Sequence, residues 1–179
     1  GKRKFLCGVI SSITMKYSPN AVQMYLFDFK GGKAFECYMG VPHMRWLVTT
    51  QADKTMFLSV LKDLVAEQKY RSELFSSAKV GELEAYNKKM LEQGKECLPR
   101  LLLVVDECQD IYKSTKSSLN SKQKEINQIF EEIARKYRAF GIHLLLASQQ
   151  IPIDMSWISQ LGNNYILNVG NESVSSLLP

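Results

Sequence analysis

Two apolar runs constrain the fold more than any other feature: "LLLVV" at residues 101–105, which is unbroken, and "IHLLLAS" at residues 142–148, which is interrupted only by His143 before Ser148. A strand with one wet face alternates apolar and polar residues, whereas a parallel strand covered on both faces stays apolar throughout. Both runs therefore predict buried, parallel strands. The segments around them fit a βαβ rhythm. Residues 5–17 place apolar side chains about one turn apart and predict a helix, broken at Ser18-Pro19-Asn20. Residues 21–29 predict a strand ended by Gly31-Gly32, and residues 45–50 a short edge strand. Asp53 is the expected N-cap of a helix reaching Phe75, with Phe57, Leu58, Leu61, Leu64, Val65 and Leu74 on its apolar face. Residues 114–123 are Ser- and Lys-rich and predict an exposed, disordered loop. A second amphipathic helix is predicted over residues 124–140, stopped by Gly141. A short helix at residues 156–161 and a last strand at residues 165–170 complete the pattern.

Composition narrows the class. A chain of 179 residues, 45% hydrophobic and 23% charged, suits one globular domain with a real core. No stretch approaches the roughly 18 apolar residues that span a bilayer, and no signal-peptide pattern opens the sequence. The four cysteines are scattered without a CxxC pair, and His43 and His143 lie far apart. A His/Cys metal site is therefore not expected, and reduced thiols fit a cytoplasmic location. The net charge of +5 permits contact with a polyanion without demanding it. No G-x-G-x-x-G follows any strand, which argues against a dinucleotide-binding oxidoreductase.

In an open parallel sheet the ligand crevice lies outside the carboxyl ends of the strands. Asp106 and Glu107 follow the first run, and Ser148 and Gln149 follow the second. A magnesium–nucleotide needs one carboxylate to hold the metal through its water shell and a neighbour to orient or deprotonate water. Read alone, "LLLVVDE" also fits a core strand ending in solvated acids, and Gln149 fits a residue that satisfies backbone groups. "GKR" alone reads equally as a solvated basic run. His143 reads as a hydrogen-bonded core residue and His43 as a loop-packing one.

Taken in order, "GKRKFLCGVISSITMKYSP", "YLFDFKGGKAFECY", "LPRLLLVVDECQDIY", "RKYRAFGIHLLLASQQ" and "NNYILNVGNESVSSLL" resemble the FtsK/SpoIIIE family of P-loop motor ATPases, which groups with the HerA-like motors. Within it, "DFKGG", "VPH" and "LVTTQAD" look most like ATPase domains of type VII (WXG100) secretion systems. The resemblance implies a RecA-like three-layer αβα P-loop NTPase fold with a mostly parallel sheet. Residues 1–179 would form a single ATPase domain that starts at the phosphate loop, with the strand before that loop either outside the sequence or lost. ATP and Mg²⁺ are the implied cofactors. Gly1, Lys2 and Arg3 would sit at the phosphates. Asp106 would serve Mg²⁺ through water, Glu107 would position or activate water, and Gln149 would sense the γ-phosphate. Arg71 would be an arginine finger acting across a subunit interface. A homo-hexameric ring or tandem ATPase domains are the implied assembly, at the cytoplasmic face of a membrane-anchored parent complex. The implied substrate is a polymer, either DNA or secreted protein.

The sequence departs from the family pattern at several points. The phosphate-loop lysine is normally followed by a Ser or Thr whose hydroxyl ligates Mg²⁺; here the residue is Arg3. Gln150 stands where an arginine usually follows the sensor, and Asn171-Glu172-Ser173 replaces an Asp-Ser-Arg tail. These changes point toward weak or absent hydrolysis. They open an alternative: a catalytically degenerate regulatory or docking module of a larger ATPase.

Overall fold

The computed structural model describes residues 1–31, 33–113, 120–149 and 156–163. The strands β1 (Val22–Asp28), β2 (Met44–Val48), β3 (Arg100–Asp106) and β4 (Ile142–Ala147) form one sheet in the order β2-β1-β3-β4, with every pairing parallel. Side chains on successive residues leave opposite faces of a strand, and the core divides accordingly. Tyr25, Phe27, Leu101, Leu103 and Val105 pack on one face with α2 (Lys54–Ala78) and α5 (Ser121–Lys136). Met24, Leu26 and Val104 pack on the other with Leu6 and Ile10 of α1 (Lys2–Lys16). The result is three layers, αβα.

Phe57 of α2 ties the first face together, its ring meeting Phe27 at 4.8 Å, Phe29 at 5.1 Å and Phe130 at 5.8 Å. Asp53 caps α2 as expected, its carboxylate accepting from the N–H groups of Thr55 and Met56. Gly141 ends the turn that follows α5 at φ 71°, where a Cβ would lie 2.3 Å from Leu83 Cδ2. That combination suits only glycine.

The structure departs from the sequence reading in four places. The polar stretch at residues 114–123 does not stay a loop to its end: Ser121 already begins α5. Asn120 and Gln123 exchange side-chain and backbone hydrogen bonds there in a capping box. Residues 114–119 lie outside the described residues, as does the last strand expected at residues 165–170. A helix the sequence reading omitted, α3 (Leu83–Glu92), buries Leu83 and Tyr86. Residues 137–140 form a 3₁₀ turn rather than the end of α5. Finally, β4 is not fully buried: only Ile142 is. It pairs with β3 on one side and, among the described residues, has no strand on the other. No helix among the described residues is long and apolar enough to cross a membrane.

Candidate functional site

Adjacent parallel strands bring three carboxylates to one end of the sheet. Asp28 closes β1 and Asp106 closes β3, and the two are register partners, so they stand abreast. They are 1% and 0% exposed, and Glu107, the next residue, is 3% exposed. Glu107 adopts φ 54°, a left-handed conformation that costs a non-glycine residue on the order of 1 kcal/mol. Two contacts hold that turn, which leads into the short helix α4 (Gln109–Tyr112). The Glu107 N–H donates to Asp106 Oδ1 at 3.0 Å, and the Cys108 N–H donates to the Ala147 carbonyl on β4 at 3.1 Å.

Buried carboxylates stay charged only when paired or hydrogen-bonded. The first turn of α1 supplies the cations. Lys2 Nζ lies 2.9 Å from both Asp106 Oδ1 and Glu107 Oε1. Arg3 Nε lies 3.4 Å from Asp106 Oδ2, and Arg3 Nη2 lies 3.6 Å from Asp28 Oδ2. Asp28 Oδ1 accepts from the N–H groups of Lys30 and Gly31. Gly31 sits at φ 72°, with no room for a Cβ against the backbone of Gln51. On the far side of Glu107, Gln149 Nε2 donates to Oε1 at 2.8 Å and Gln109 Nε2 donates to Oε2 at 2.5 Å. Ser148 Oγ donates to Gln109 Oε1 at 2.7 Å, which fixes the orientation of that amide.

Burial alone would raise the Glu107 pKa. Hydrogen bonds from Gln109, Lys2 and Gln149, with the charge of Lys2, outweigh it and hold the group at about 2. A carboxyl depressed on folding stabilises the native state above its unfolded pKa, and that stability is lost as pH falls through the folded value. Glu107 should therefore contribute fully above about pH 5, and its contribution, on the order of 3 kcal/mol, should vanish as pH approaches 2. Denaturation across this range checks it: Glu107→Gln should flatten the acid limb, and an unchanged limb would contradict the assignment.

The positive end of a helix favours anions. Yet the first turn of α1 carries Lys2, Arg3 and Lys4, contains no acidic residue and has no side-chain cap at Gly1. A cleft of about 540 Å³ opens beside it, lined by Gly1, Lys2, Arg3, Lys4, Lys30, Glu107 and Gln149. Basic side chains and uncapped helix amides on one wall suit phosphate groups.

A divalent cation fits less well. Lys2 and the Glu107 N–H occupy Asp106 Oδ1, and Arg3 faces Asp106 Oδ2. Arg3 offers N–H donors where an oxygen ligand is needed. The Mg²⁺ expected at Asp106 through water would have to share that carboxylate with Lys2, Arg3 and the Glu107 N–H.

The structure thus brings together Gly1, Lys2, Arg3, Asp106, Glu107 and Gln149. Arg71 lies elsewhere, 0% exposed, with Nε on Glu67 Oε1 at 2.8 Å and Nη1 donating to the Phe140 carbonyl at 2.7 Å. Within the chain the guanidinium is committed to these two partners and stands apart from the cleft. Gln150, Asn171, Glu172 and Ser173 lie outside the described residues. Asp28, quoted only within the strand-end motif "DFKGG", and Gln109 were given no site role from sequence. The signals for them were an aspartate ending each of two neighbouring strands and an amide two residues after Glu107.

The model of the FtsK/SpoIIIE family matches residues 1–152. The chain belongs to the FtsK/SpoIIIE family. The DNA translocase FtsK of Campylobacter jejuni is 30% identical over 155 residues, covering 87% of this chain and 15% of the translocase. The chain therefore spans a small part of the length of such curated relatives. Among solved structures, the cytoplasmic domain of the type VII secretion ATPase EccC from Thermomonospora curvata superposes with a TM-score of 0.74 at 28% identity, covering 90% of this chain and 18% of that one. The conjugation coupling protein TcpA of pCW3, solved with ATPγS, gives a TM-score of 0.63 at 26% identity over 79% of this chain and 39% of that one. These neighbours and the all-parallel sheet give this FtsK/SpoIIIE member the RecA-like P-loop ATPase fold.

Proposed function

We propose that the cleft between α1 and the ends of β3 and β4 binds a nucleoside triphosphate, and that the chain serves as an ATP-binding domain of a polymer-translocating machine. The observation that carries this is Lys2 Nζ, held 2.9 Å from both Asp106 and Glu107 beside a basic, uncapped helix start. In the nucleotide-bound state Lys2 leaves the carboxylates for phosphate oxygens, where an ammonium acts as a mobile point charge. Glu107 then loses one of the contacts that hold its pKa near 2 and gains basicity toward a water oriented with Gln149. The bound nucleotide supplies the phosphoryl group; binding, orientation and proton acceptance fall to these side chains.

The polymer class follows the relatives, described as DNA translocases and as a type VII secretion ATPase. DNA and a secreted protein are thus the two candidate substrates. A ring, hexameric or built from tandem ATPase domains, at the cytoplasmic face of a membrane complex is the setting that accords with them. A second reading is favoured by Arg3, whose guanidinium lies between Asp28 and Asp106. In that reading the domain does not turn nucleotide over and instead regulates or docks its neighbours.

Calorimetric titration of the full-length protein with ATP tests the site, and phosphate release separates the readings. Saturable binding is expected. No binding at millimolar ATP would overturn the nucleotide site, and turnover abolished by Glu107→Gln would overturn the non-hydrolytic reading.

A further inference from the structure

We infer that Arg3 takes the place of the divalent cation in this cleft, so that the site binds a nucleoside di- or triphosphate without magnesium. The inference rests on the nucleotide reading and specifies its ionic chemistry.

Asp28 and Asp106 stand abreast at the ends of paired strands, both essentially inaccessible to solvent. Two such carboxylates side by side repel one another and need a shared cation. Arg3 supplies it, with Nη2 toward Asp28 Oδ2 and Nε toward Asp106 Oδ2. The guanidinium is planar, and its fork of N–H donors matches carboxylates and phosphates alike. It starts from the second residue of α1, next to Lys2, so backbone geometry places it at the helix start where phosphates are received. Its side chain is 41% exposed and lines the cleft, so one group faces both the acids and an incoming phosphate chain.

Magnesium asks for something different: near-octahedral oxygen ligands at about 2.0–2.1 Å. Arg3 contributes no oxygen where a hydroxyl would be needed, and its positive charge repels a dication brought to Asp106. The cations that offset phosphate charge are then the chain's own: Lys2 and Arg3, with Lys4 and Lys30 on the same wall.

The experiment is ATP titration of the full-length protein in excess magnesium and again in excess EDTA, for wild type and for Arg3→Thr, which restores a hydroxyl. Wild-type affinity should agree within about twofold between the two conditions. Arg3→Thr should lose affinity in EDTA by about 10- to 100-fold, as expected when one charged hydrogen-bonding partner is lost, and regain it in magnesium. Wild-type binding that needs magnesium overturns this inference and leaves the nucleotide site standing. Binding in neither condition overturns both. An Arg3→Thr protein indifferent to magnesium also overturns it. If Arg3→Thr does not fold, Arg3→Lys takes its place: it keeps the charge but loses the fork, and should weaken binding in EDTA.

Discussion

Arg71→Ala is expected to destabilise the protein by about 3–5 kcal/mol, the cost of breaking a buried ion pair by removing one partner. Arg71 is wholly buried, and its fork joins Glu67, one turn earlier on α2, to the Phe140 carbonyl in the turn before β4. Truncation leaves that carbonyl without its donor and Glu67 without its cation, and it opens a cavity between α2 and the β4 approach. Since Glu67 is 23% exposed, water relieves part of the loss, which favours the lower end of the range. In a domain of this size the melting temperature should fall by roughly 10 °C. Arg71→Lys should recover only part of it, because an ammonium cannot reproduce the fork. A trans-acting arginine gives the opposite pattern: an alanine variant that melts like wild type and fails only when subunits assemble.

Lys2→Ala is expected to lose affinity for ATP by about 10- to 100-fold, as for other charged hydrogen-bonding partners. Two consequences compound. The phosphates lose an ammonium, and Asp106 and Glu107 lose the cation that lies 2.9 Å from each. The freed negative charge then faces the phosphates directly. Glu107 should titrate at higher pH in the variant, because its bond to Lys2 is among the causes of its low pKa. Lys16→Ala, at the opposite end of α1, is the control and should bind as wild type does. Equal affinity for Lys2→Ala and wild type would place the phosphates elsewhere.

Much of the frame was legible because burial writes itself into hydrophobic pattern. Residues 101–105 are apolar throughout because β3 has strands on both sides and helices on both faces. The same reasoning overreached at residues 142–147: periodicity reports covered faces and cannot report whether the outer edge is paired, so β4 read as more buried than it is. α3 was missed because it lacks a side-chain cap at Glu82, although Leu83 and Tyr86 sit at helical spacing. At the site, Asp106, Glu107 and Gln149 followed from strand ends alone. Asp28 did not, since its partnership with Asp106 depends on inter-strand register. The intrachain partners of Arg71 were illegible for a related reason. An arginine on a helix looks the same in sequence whether its guanidinium points to solvent or to a carbonyl 69 residues away.

A structure of the full-length protein with ATPγS tests the nucleotide site most directly. The expected result places the phosphates at the start of α1, with Lys2 Nζ moved off Asp106 and Glu107 onto phosphate oxygens, Arg3 still beside Asp28 and Asp106, and Gln149 facing the terminal phosphate. Nucleotide bound away from α1, or a saturated sample in which Lys2 keeps both carboxylates and the cleft stays empty, would contradict it.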